Sequence, residues 1–153
     1  MRAVVQRVAW AKVEVEGAIT GEIAHGLLVF LGVGKGDVER DTAWTLSKVV
    51  GLRIFEDARG KMGLSIGDTG GALLVVSQFT LYGDLARGKR PSFDGAMPPG
   101  EAERVYDDFV RRARDTGIRV ETGRFAADMK VSSLNDGPVT ILIESPGSER
   151  IAP

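Results

Sequence analysis

Two polar segments in the second half of the chain hold the residue types that could do chemistry. The first comprises Ser77, Gln78, Phe79 and Thr80, and it follows directly on the apolar run of residues 72–76. The second covers residues 135–140 and contains a Gly-Pro peptide between two strand-like segments. Hydrogen-bonding groups therefore appear where a buried strand stops. Main-chain N–H groups at such a place can bind a carbonyl group and stabilise the negative charge that develops on it during hydrolysis.

The chain offers few of the groups used in conventional catalysis. It contains no cysteine, which excludes thiolate catalysis, disulfides and cysteine metal sites. The single histidine, His25, lies in a Gly-rich turn before an apolar run, so we expect a structural role. The glycines of residues 32–36 lack the spacing and the Lys-Ser/Thr pair of a phosphate loop. Asp107 and Asp108 fall on the polar face of a predicted helix. The sequence therefore predicts neither a metal nor a cofactor.

Composition favours one globular domain and gives little sign of a polyanionic partner. The 153 residues are 43% hydrophobic and 27% charged, with a net charge of −1. No apolar run reaches the roughly 18 residues of a membrane span. Together with the absence of cysteine, this favours a cytoplasmic protein. The cations Arg87, Lys89 and Arg90 form one local cluster. From the sequence alone this cluster is either a solvated loop or a phosphate-binding patch.

Apolar periodicity predicts more strands than helices. Strands are predicted over residues 1–15 (or a hairpin), 26–34, 52–55, 72–79, 118–122, 128–134 and 139–144, and helices over 38–50, capped by Asp37, and from 98 to Gly117. Residues 82–100 are predicted to form a long functional loop. The pattern indicates an α+β fold with a mainly antiparallel sheet and two packed helices. We expect a single domain at residues 1–144 and a tail at residues 145–153.

The two polar segments, in this order, resemble those of the D-aminoacyl-tRNA deacylases, which cleave wrongly formed ester links on tRNA. The likeness extends over residues 1–144 and includes residues 1–8, 89–93 and 122–129. It implies a β-barrel-like core that is completed in a homodimer, with active sites at the subunit interface. It also implies chiral proofreading in translation: hydrolysis of D-aminoacyl-tRNA to free tRNA and D-amino acid, without a cofactor.

The resemblance assigns the chemistry to the first segment. It implies that main-chain N–H groups around Gln78, Phe79 and Thr80 bind the carbonyl end of the substrate. The Thr80 hydroxyl is then a positioning group, because the sequence contains no evident base to make it a nucleophile. The free ribose hydroxyl of the terminal adenosine helps to activate the water instead. Ser77 completes this catalytic segment.

The resemblance assigns chiral selection to the second segment. It implies that Gly137-Pro138 is a cis peptide that enters the partner's active site and holds the substrate amino group through its carbonyls. An L side chain would then clash, whereas glycine, which lacks a side chain, would not, so glycine mischarged on alanine tRNA should also be cleaved. From the residues alone, the simpler interpretation of residues 135–138 is a hairpin turn.

The remaining site residues also follow from the resemblance. Arg7 braces the Gly-Pro segment, and Asn135 and Thr140 fix it. Phe125 and Met129 form pocket walls, and the cluster of Arg87, Lys89 and Arg90 binds tRNA phosphates.

Two other functions remain open at this point. One is a non-catalytic module of the same fold that only binds tRNA acceptor ends. The other is a small-molecule hydrolase with Thr80 as its nucleophile. Pure binding requires neither polar segment, and a nucleophile requires a base.

Overall fold

The computed structural model describes residues 1–147. In chain order the elements are β1 (Arg2–Val15), β2 (Ala18–Ile23), β3 (Gly26–Gly32), α1 (Glu39–Gly51), β4 (Phe55–Glu56), β5 (Met62–Leu64), α2 (Ile66–Thr69), β6 (Ala72–Ser77), a 3-10 turn (Phe79–Tyr82), α3 (Pro99–Asp115), β7 (Arg119–Thr122) and β8 (Lys130–Glu144). None of the helices among these residues is long and apolar enough to cross a membrane.

The long strand β1 organises the main sheet. One edge of β1 pairs antiparallel with β3 and then with β2, and the other edge pairs antiparallel with β8 along nearly its whole length. β6 joins β3 in parallel, and β7 joins β6 in parallel. The sheet is therefore mixed. The expected α+β fold is confirmed, with the short helix α2 in addition to the two predicted helices.

Residues 27–31 of β3 and 72–76 of β6 are all apolar, and both faces of these two strands are largely buried. On one face, Val29 and Val75 belong to a core that includes Phe109 of α3 and Val49 of α1. On the other face, Leu74 belongs to a second core formed mainly by the strands. Since successive side chains of a strand point to opposite faces, a strand with two buried faces appears in the sequence as a continuous apolar run.

The sheet nearly closes into a barrel where β2 approaches β7. Gly21 of β2 makes this approach possible, because a Cβ atom at this position would lie 2.2 Å from the carbonyl oxygen of Thr122. No side chain fits at that distance from a backbone atom. The missing side chain of Gly21 thus sets how closely the two strands pack.

Two local sequence predictions are wrong because contacts between distant parts of the chain decide the structure. Helix α1 has Val38, not Asp37, at its N-cap, and the Val38 N–H donates to Asp41 Oδ2 at 3.0 Å. The Asp37 carboxylate instead accepts from the Gly34 N–H and from the Met1 ammonium, both at 2.6 Å. In the segment predicted as a strand over residues 52–55, pairing begins only at Phe55.

The alternative interpretation of residues 135–138 as a simple hairpin turn does not agree with the structure. β8 runs without a turn from Lys130 to Glu144. Its pairing with β1 shifts register between Gln6 and Trp10, opposite this segment. Because one continuous strand pairs with both halves of β8, the irregular segment becomes an interruption within the strand pairing.

The predicted tail begins inside the folded part. Ser145 is buried, its N–H donates to the Met1 carbonyl at 2.8 Å, and its hydroxyl accepts from the Met1 ammonium at 2.6 Å. The rest of the predicted tail, residues 148–153, lies outside the described residues.

The close approach at Gly21 gives a stability prediction. Replacing Gly21 with Ala should lower the free energy of unfolding by roughly 1–3 kcal/mol, because the added methyl group forces the two strands apart. Urea unfolding followed by circular dichroism measures this loss. Gly100→Ala is the matched control, since a Cβ atom there would meet nothing within 4 Å. Equal stability of the two variants would contradict the close packing of β2 against β7.

Candidate active site

The first polar segment turns away from the sheet at the end of β6. Ser77 is paired with Leu31 of β3, and the next N–H, that of Gln78, donates to the Leu31 carbonyl at 2.8 Å. The chain then enters the 3-10 turn, whose first two N–H groups are those of Phe79 and Thr80. Within residues 1–147 neither of these N–H groups has an acceptor. This follows from their position, since the leading N–H groups of a helical turn have no partner inside it.

Contacts with β1 and β3 hold the turn in place. The Arg2 guanidinium donates to the Leu81 carbonyl at 3.0 Å and lies 4.6 Å from the centre of the Tyr82 ring. Burial raises the pKa of the Tyr82 phenol above its usual range. Gly34 leaves room for this phenol, because a Cβ atom at position 34 would lie 2.4 Å from the Tyr82 oxygen. The free N–H groups therefore belong to a fixed piece of backbone.

The segment forms one wall of a cavity of about 620 Å³. The opposite walls come from the start of α3, the segment after β7 and the loop before α3. The lining includes Lys35, Ser77, Gln78, Phe79, Phe93, Asp94, Tyr106, Phe125 and Met129. The cavity thus contains both predicted pocket walls and most of the first polar segment. Thr80 is adjacent to the lining but is not part of it.

Tyr106 of α3 is a lining residue that the sequence does not single out. It is a buried aromatic residue on the face of α3 that packs on the core, so its residue type alone indicates packing. In the structure its buried hydroxyl donates to the Val75 carbonyl at 2.7 Å, and its ring lies 5.8 Å from that of Phe125. Burial raises the pKa of this phenol as well. Tyr106 therefore fixes α3 against β6 two residues before Ser77.

Within residues 1–147 the Thr80 hydroxyl makes no hydrogen bond to a group that could act as its base. The Thr80 oxygen accepts a hydrogen bond from the side-chain amide of Gln78, which cannot take up a proton. His25 precedes β3 and packs against Phe55 at 5.0 Å, whereas the cavity lies at the other end of that strand. Six residues of strand place them roughly 20 Å apart. The ionisable lining residues are Lys35, Asp94 and Tyr106. Residues 1–147 contain no cluster of three potential metal ligands.

The second polar segment places its predicted members together. The Gly137-Pro138 peptide is cis, and both residues are exposed. Asn135 accepts from the Val139 N–H at 2.8 Å and donates to the Thr140 hydroxyl at 2.9 Å. These bonds bridge the two sides of the Gly-Pro peptide.

Arg7 of β1 also contacts this segment. It is only 8% exposed, and it donates to the Asp136 carbonyl at 2.8 Å and to the Ile54 carbonyl at 2.6 Å. A Cβ atom on Gly137 would lie 3.1 Å from the Arg7 guanidinium. Gly137 also has a φ of 144°, which disfavours other residues. The backbone at this point is therefore closely confined.

The two polar segments do not meet within one chain. Gly137 and Pro138 are absent from the cavity lining. The Gly-Pro peptide lies opposite Arg7 of β1, whereas the first segment lies at the level of Leu31, which pairs with Ala3 of β1. The two segments also lie on opposite sides of β1. The Gly-Pro peptide is therefore not a wall of the cavity that the first polar segment lines.

The cations Arg87, Lys89 and Arg90 lie on the loop between the 3-10 turn and α3. All three are exposed, and no ion pair is formed by them within residues 1–147. Two hydrogen bonds between the backbones of Asp84 and Ser92, of 2.8 and 2.9 Å, close the base of this loop. The cluster thus lies on a loop with a closed base beside the cavity and is exposed to solvent.

Comparison with known proteins gives one consistent result. A family model described as D-Tyr-tRNA(Tyr) deacylase matches residues 4–144. The chain is 58% identical to a D-aminoacyl-tRNA deacylase of Geobacter metallireducens and 60% identical to one of Thermotoga petrophila. Each alignment covers 95% of this chain and 97% of the relative.

Two solved structures have the same fold. One, described as a c-Myc DNA Unwinding Element Binding Protein, is 41% identical with a TM-score of 0.91, and the match covers 96% of this chain and 100% of that one. The other, described as a probable eukaryotic D-amino acid tRNA deacylase, has a TM-score of 0.80 over 93% of this chain and 97% of that one. At 15% identity the second likeness shows the fold alone.

Proposed function

The chain belongs to the D-Tyr-tRNA(Tyr) deacylase family and is a hydrolase. From this premise we propose that it hydrolyses the ester bond of D-aminoacyl-tRNA in the cytoplasm, releasing free tRNA and the D-amino acid, and so removes wrong products from translation. The observation that carries the proposal is the pair of unpartnered N–H groups of Phe79 and Thr80 beside the cavity. Such a pair suits a carbonyl oxygen that becomes negatively charged.

The proposed chemistry uses the backbone and the substrate. Water attacks the ester carbonyl carbon, and the two N–H groups stabilise the resulting oxyanion. The C–O bond to the ribose then breaks, and the neighbouring ribose hydroxyl relays a proton from the attacking water to the leaving ribose oxygen. The Gln78 N–H takes no part, because it is already bonded to Leu31. Removing a single oxyanion donor typically costs 10²–10³ in rate, so two fixed donors supply much of the required stabilisation.

The cavity is proposed to hold the terminal aminoacyl-adenosine. Its volume of about 620 Å³ lies within the usual range of small-molecule sites. Phe125 and Met129 provide apolar walls, and the Thr80 hydroxyl, oriented by Gln78, serves as a hydrogen-bonding group. This arrangement requires no cofactor.

Chiral selection is proposed to come from the partner's Gly-Pro peptide in a homodimer. Gly137 and Pro138 are exposed and lie outside their own cavity, so they are available to a second copy. Their carbonyls would hold the substrate amino group, and Arg7 and Asn135 would keep them in place. D and L esters carry the same chemical groups, and only a rigid wall can separate them. The confined backbone at Gly137 supplies that rigidity.

A non-catalytic tRNA-binding module is the second candidate function. It is favoured by the exposed cations Arg87, Lys89 and Arg90, because polyanion binding requires cations of this kind. It leaves the partnerless N–H groups of the 3-10 turn without a role. A hydrolase with Thr80 as nucleophile is less well supported, because the neighbour of Thr80 is an amide.

The proposed reaction is tested with one tRNA charged in parallel with D-tyrosine and L-tyrosine, with and without EDTA. The D ester should disappear rapidly, the L ester should persist, and EDTA should change neither rate. Loss of both esters would contradict chiral selection by the Gly-Pro peptide. Binding of tRNA without hydrolysis would identify the second candidate function.

Steric selection makes a further prediction about glycine. Glycyl-tRNA, including glycine mischarged on alanine tRNA, should be cleaved because glycine has no side chain to clash with the partner's Gly-Pro peptide. Release of radiolabelled glycine measures this rate, with L-alanyl-tRNA as the matched control that differs by one methyl group. If glycyl-tRNA survived at enzyme levels that remove D-tyrosyl-tRNA, the steric account would be wrong.

The role of Thr80 is tested by Thr80→Ala and Thr80→Ser. Loss of one positioning hydrogen bond should slow single-turnover hydrolysis of D-tyrosyl-tRNA about tenfold, since such a bond contributes roughly 1–1.5 kcal/mol. Thr80→Ser keeps the hydroxyl and should retain most of the rate. A complete loss of turnover in Thr80→Ala, with tRNA binding unchanged, would instead identify Thr80 as the nucleophile.

A further inference from the structure

Two aromatic rings stand at the rim of the cavity. Phe79 is 58% exposed although it is large and apolar, and its ring lies 5.1 Å from that of Phe93 in an edge-to-face contact. Both rings line the cavity. We call this pair the aromatic rim. The Phe93 contact fixes the orientation of the Phe79 ring, which still keeps more than half of its surface open to a partner.

The aromatic rim is joined to the cationic loop. Phe93 follows Lys89 and Arg90 on the loop that Asp84 and Ser92 close. At the base of the loop, a Cβ atom on Gly83 would lie 3.3 Å from the Phe93 ring, so the loop packs tightly against the end of the 3-10 turn. The exposed ring and the unpaired cations thus lie on the same loop region beside the cavity. Aromatic faces beside backbone-binding cations are the combination that binds single-stranded nucleic acid.

We propose that the exposed face of Phe79 stacks on the base of the penultimate nucleotide of the tRNA, while Lys89 and Arg90 contact the phosphates of the unpaired 3′ end. This inference rests on the proposed function, because the terminal adenosine must occupy the cavity for its neighbour to reach the rim. Every base has a π face, so the contact would not select among tRNAs. It would place the ester rather than identify the amino acid.

A second copy of this chain is the competing occupant of the aromatic rim. Charge favours the nucleic acid, because the three cations beside the rim carry no carboxylate partner within residues 1–147. A rim-to-rim contact of two copies would bring the same three cations towards one another, whereas the partner's Gly-Pro peptide in the proposed homodimer would enter the cavity beside the rim. The unpaired positive charge beside the rim therefore favours the tRNA end as the occupant.

The test is a thermodynamic cycle on the binding of uncharged tRNA. Wild-type protein and Phe79→Leu, which keeps an apolar side chain but removes the π face, are each titrated with intact tRNA and with tRNA that lacks the penultimate base. Loss of one stacked base should weaken binding by roughly 5- to 150-fold. Both changes remove the same contact. Phe79→Leu should therefore bind the tRNA that lacks the penultimate base no more weakly than it binds intact tRNA, and no more weakly than the wild type binds the tRNA that lacks this base.

Three further variants separate stacking from other effects. Phe79→Trp keeps a π face and should therefore bind tRNA about as tightly as the wild type, unlike Phe79→Leu. Met62→Ala removes an apolar side chain of similar exposure (55%) elsewhere on the surface and should leave binding unchanged. Lys89→Ala with Arg90→Ala should lower the salt dependence of log K by about 1.4, or about 0.7 per lost phosphate contact, whereas Phe79→Leu should leave that slope unchanged.

The outcomes are distinct from those for the proposed function. Additive losses in the cycle, or a Phe79→Leu variant that sediments as a monomer where the wild type is a dimer, would overturn the stacking proposal. Hydrolysis of D-tyrosyl-tRNA by the wild-type protein would still uphold the proposed function. Conversely, a coupled cycle with no hydrolysis of the D ester would support the aromatic rim and contradict the catalytic proposal.

Discussion

The pairing of β1 on both of its edges is the constraint on which the site depends. The edge that pairs with β3 fixes the level at which β6 ends, and therefore where the 3-10 turn begins. The edge that pairs with β8 fixes the level of the Gly-Pro peptide. β1 also supplies an arginine to each side: Arg2 bonds to Leu81 of the turn, and Arg7 bonds to Asp136. One strand thereby sets the positions of two segments that are far apart in sequence and in space.

The burial of Arg7 shows how this fold fixes backbone without opposite charge. A buried guanidinium is unfavourable unless its donors are satisfied. The Arg7 guanidinium donates to two carbonyl oxygens, that of Ile54 before β4 and that of Asp136 in β8. A carboxylate could satisfy the same donors at one point. Two carbonyls satisfy the donors only when two separate stretches of backbone are correctly placed. The need to satisfy the buried guanidinium therefore stabilises the backbone arrangement next to Gly137.

The sequence predicts the parts of this structure that depend on local patterns. The apolar runs of β3 and β6 and the helix α3 are found where the sequence predicts them. The resemblance located the residues of both polar segments, and their roles are proposed.

The sequence predictions that fail do so because of contacts between distant parts of the chain. The position of Asp37 just before α1 predicts a helix cap, but its carboxylate binds the Met1 ammonium instead. Gly and Pro at residues 137–138 favour a turn until β1 is known to pair on both sides of them. Tyr106 matches the core pattern, and only the position of the Val75 carbonyl gives its hydroxyl a role.

In a site built from main-chain N–H groups, the backbone binds the oxyanion and the side chains make other contacts. Substitution of Phe79 or Thr80 leaves the N–H of that residue in place, so their side chains are free to meet other requirements. Thr80 is oriented by Gln78, whereas Phe79 turns its ring outward to the rim. The rigidity that catalysis needs must then come from what holds the turn, namely the Arg2 and Tyr82 contacts and the bond from Gln78 to Leu31. Substitutions at those supports should therefore impair hydrolysis more than many substitutions in the turn itself.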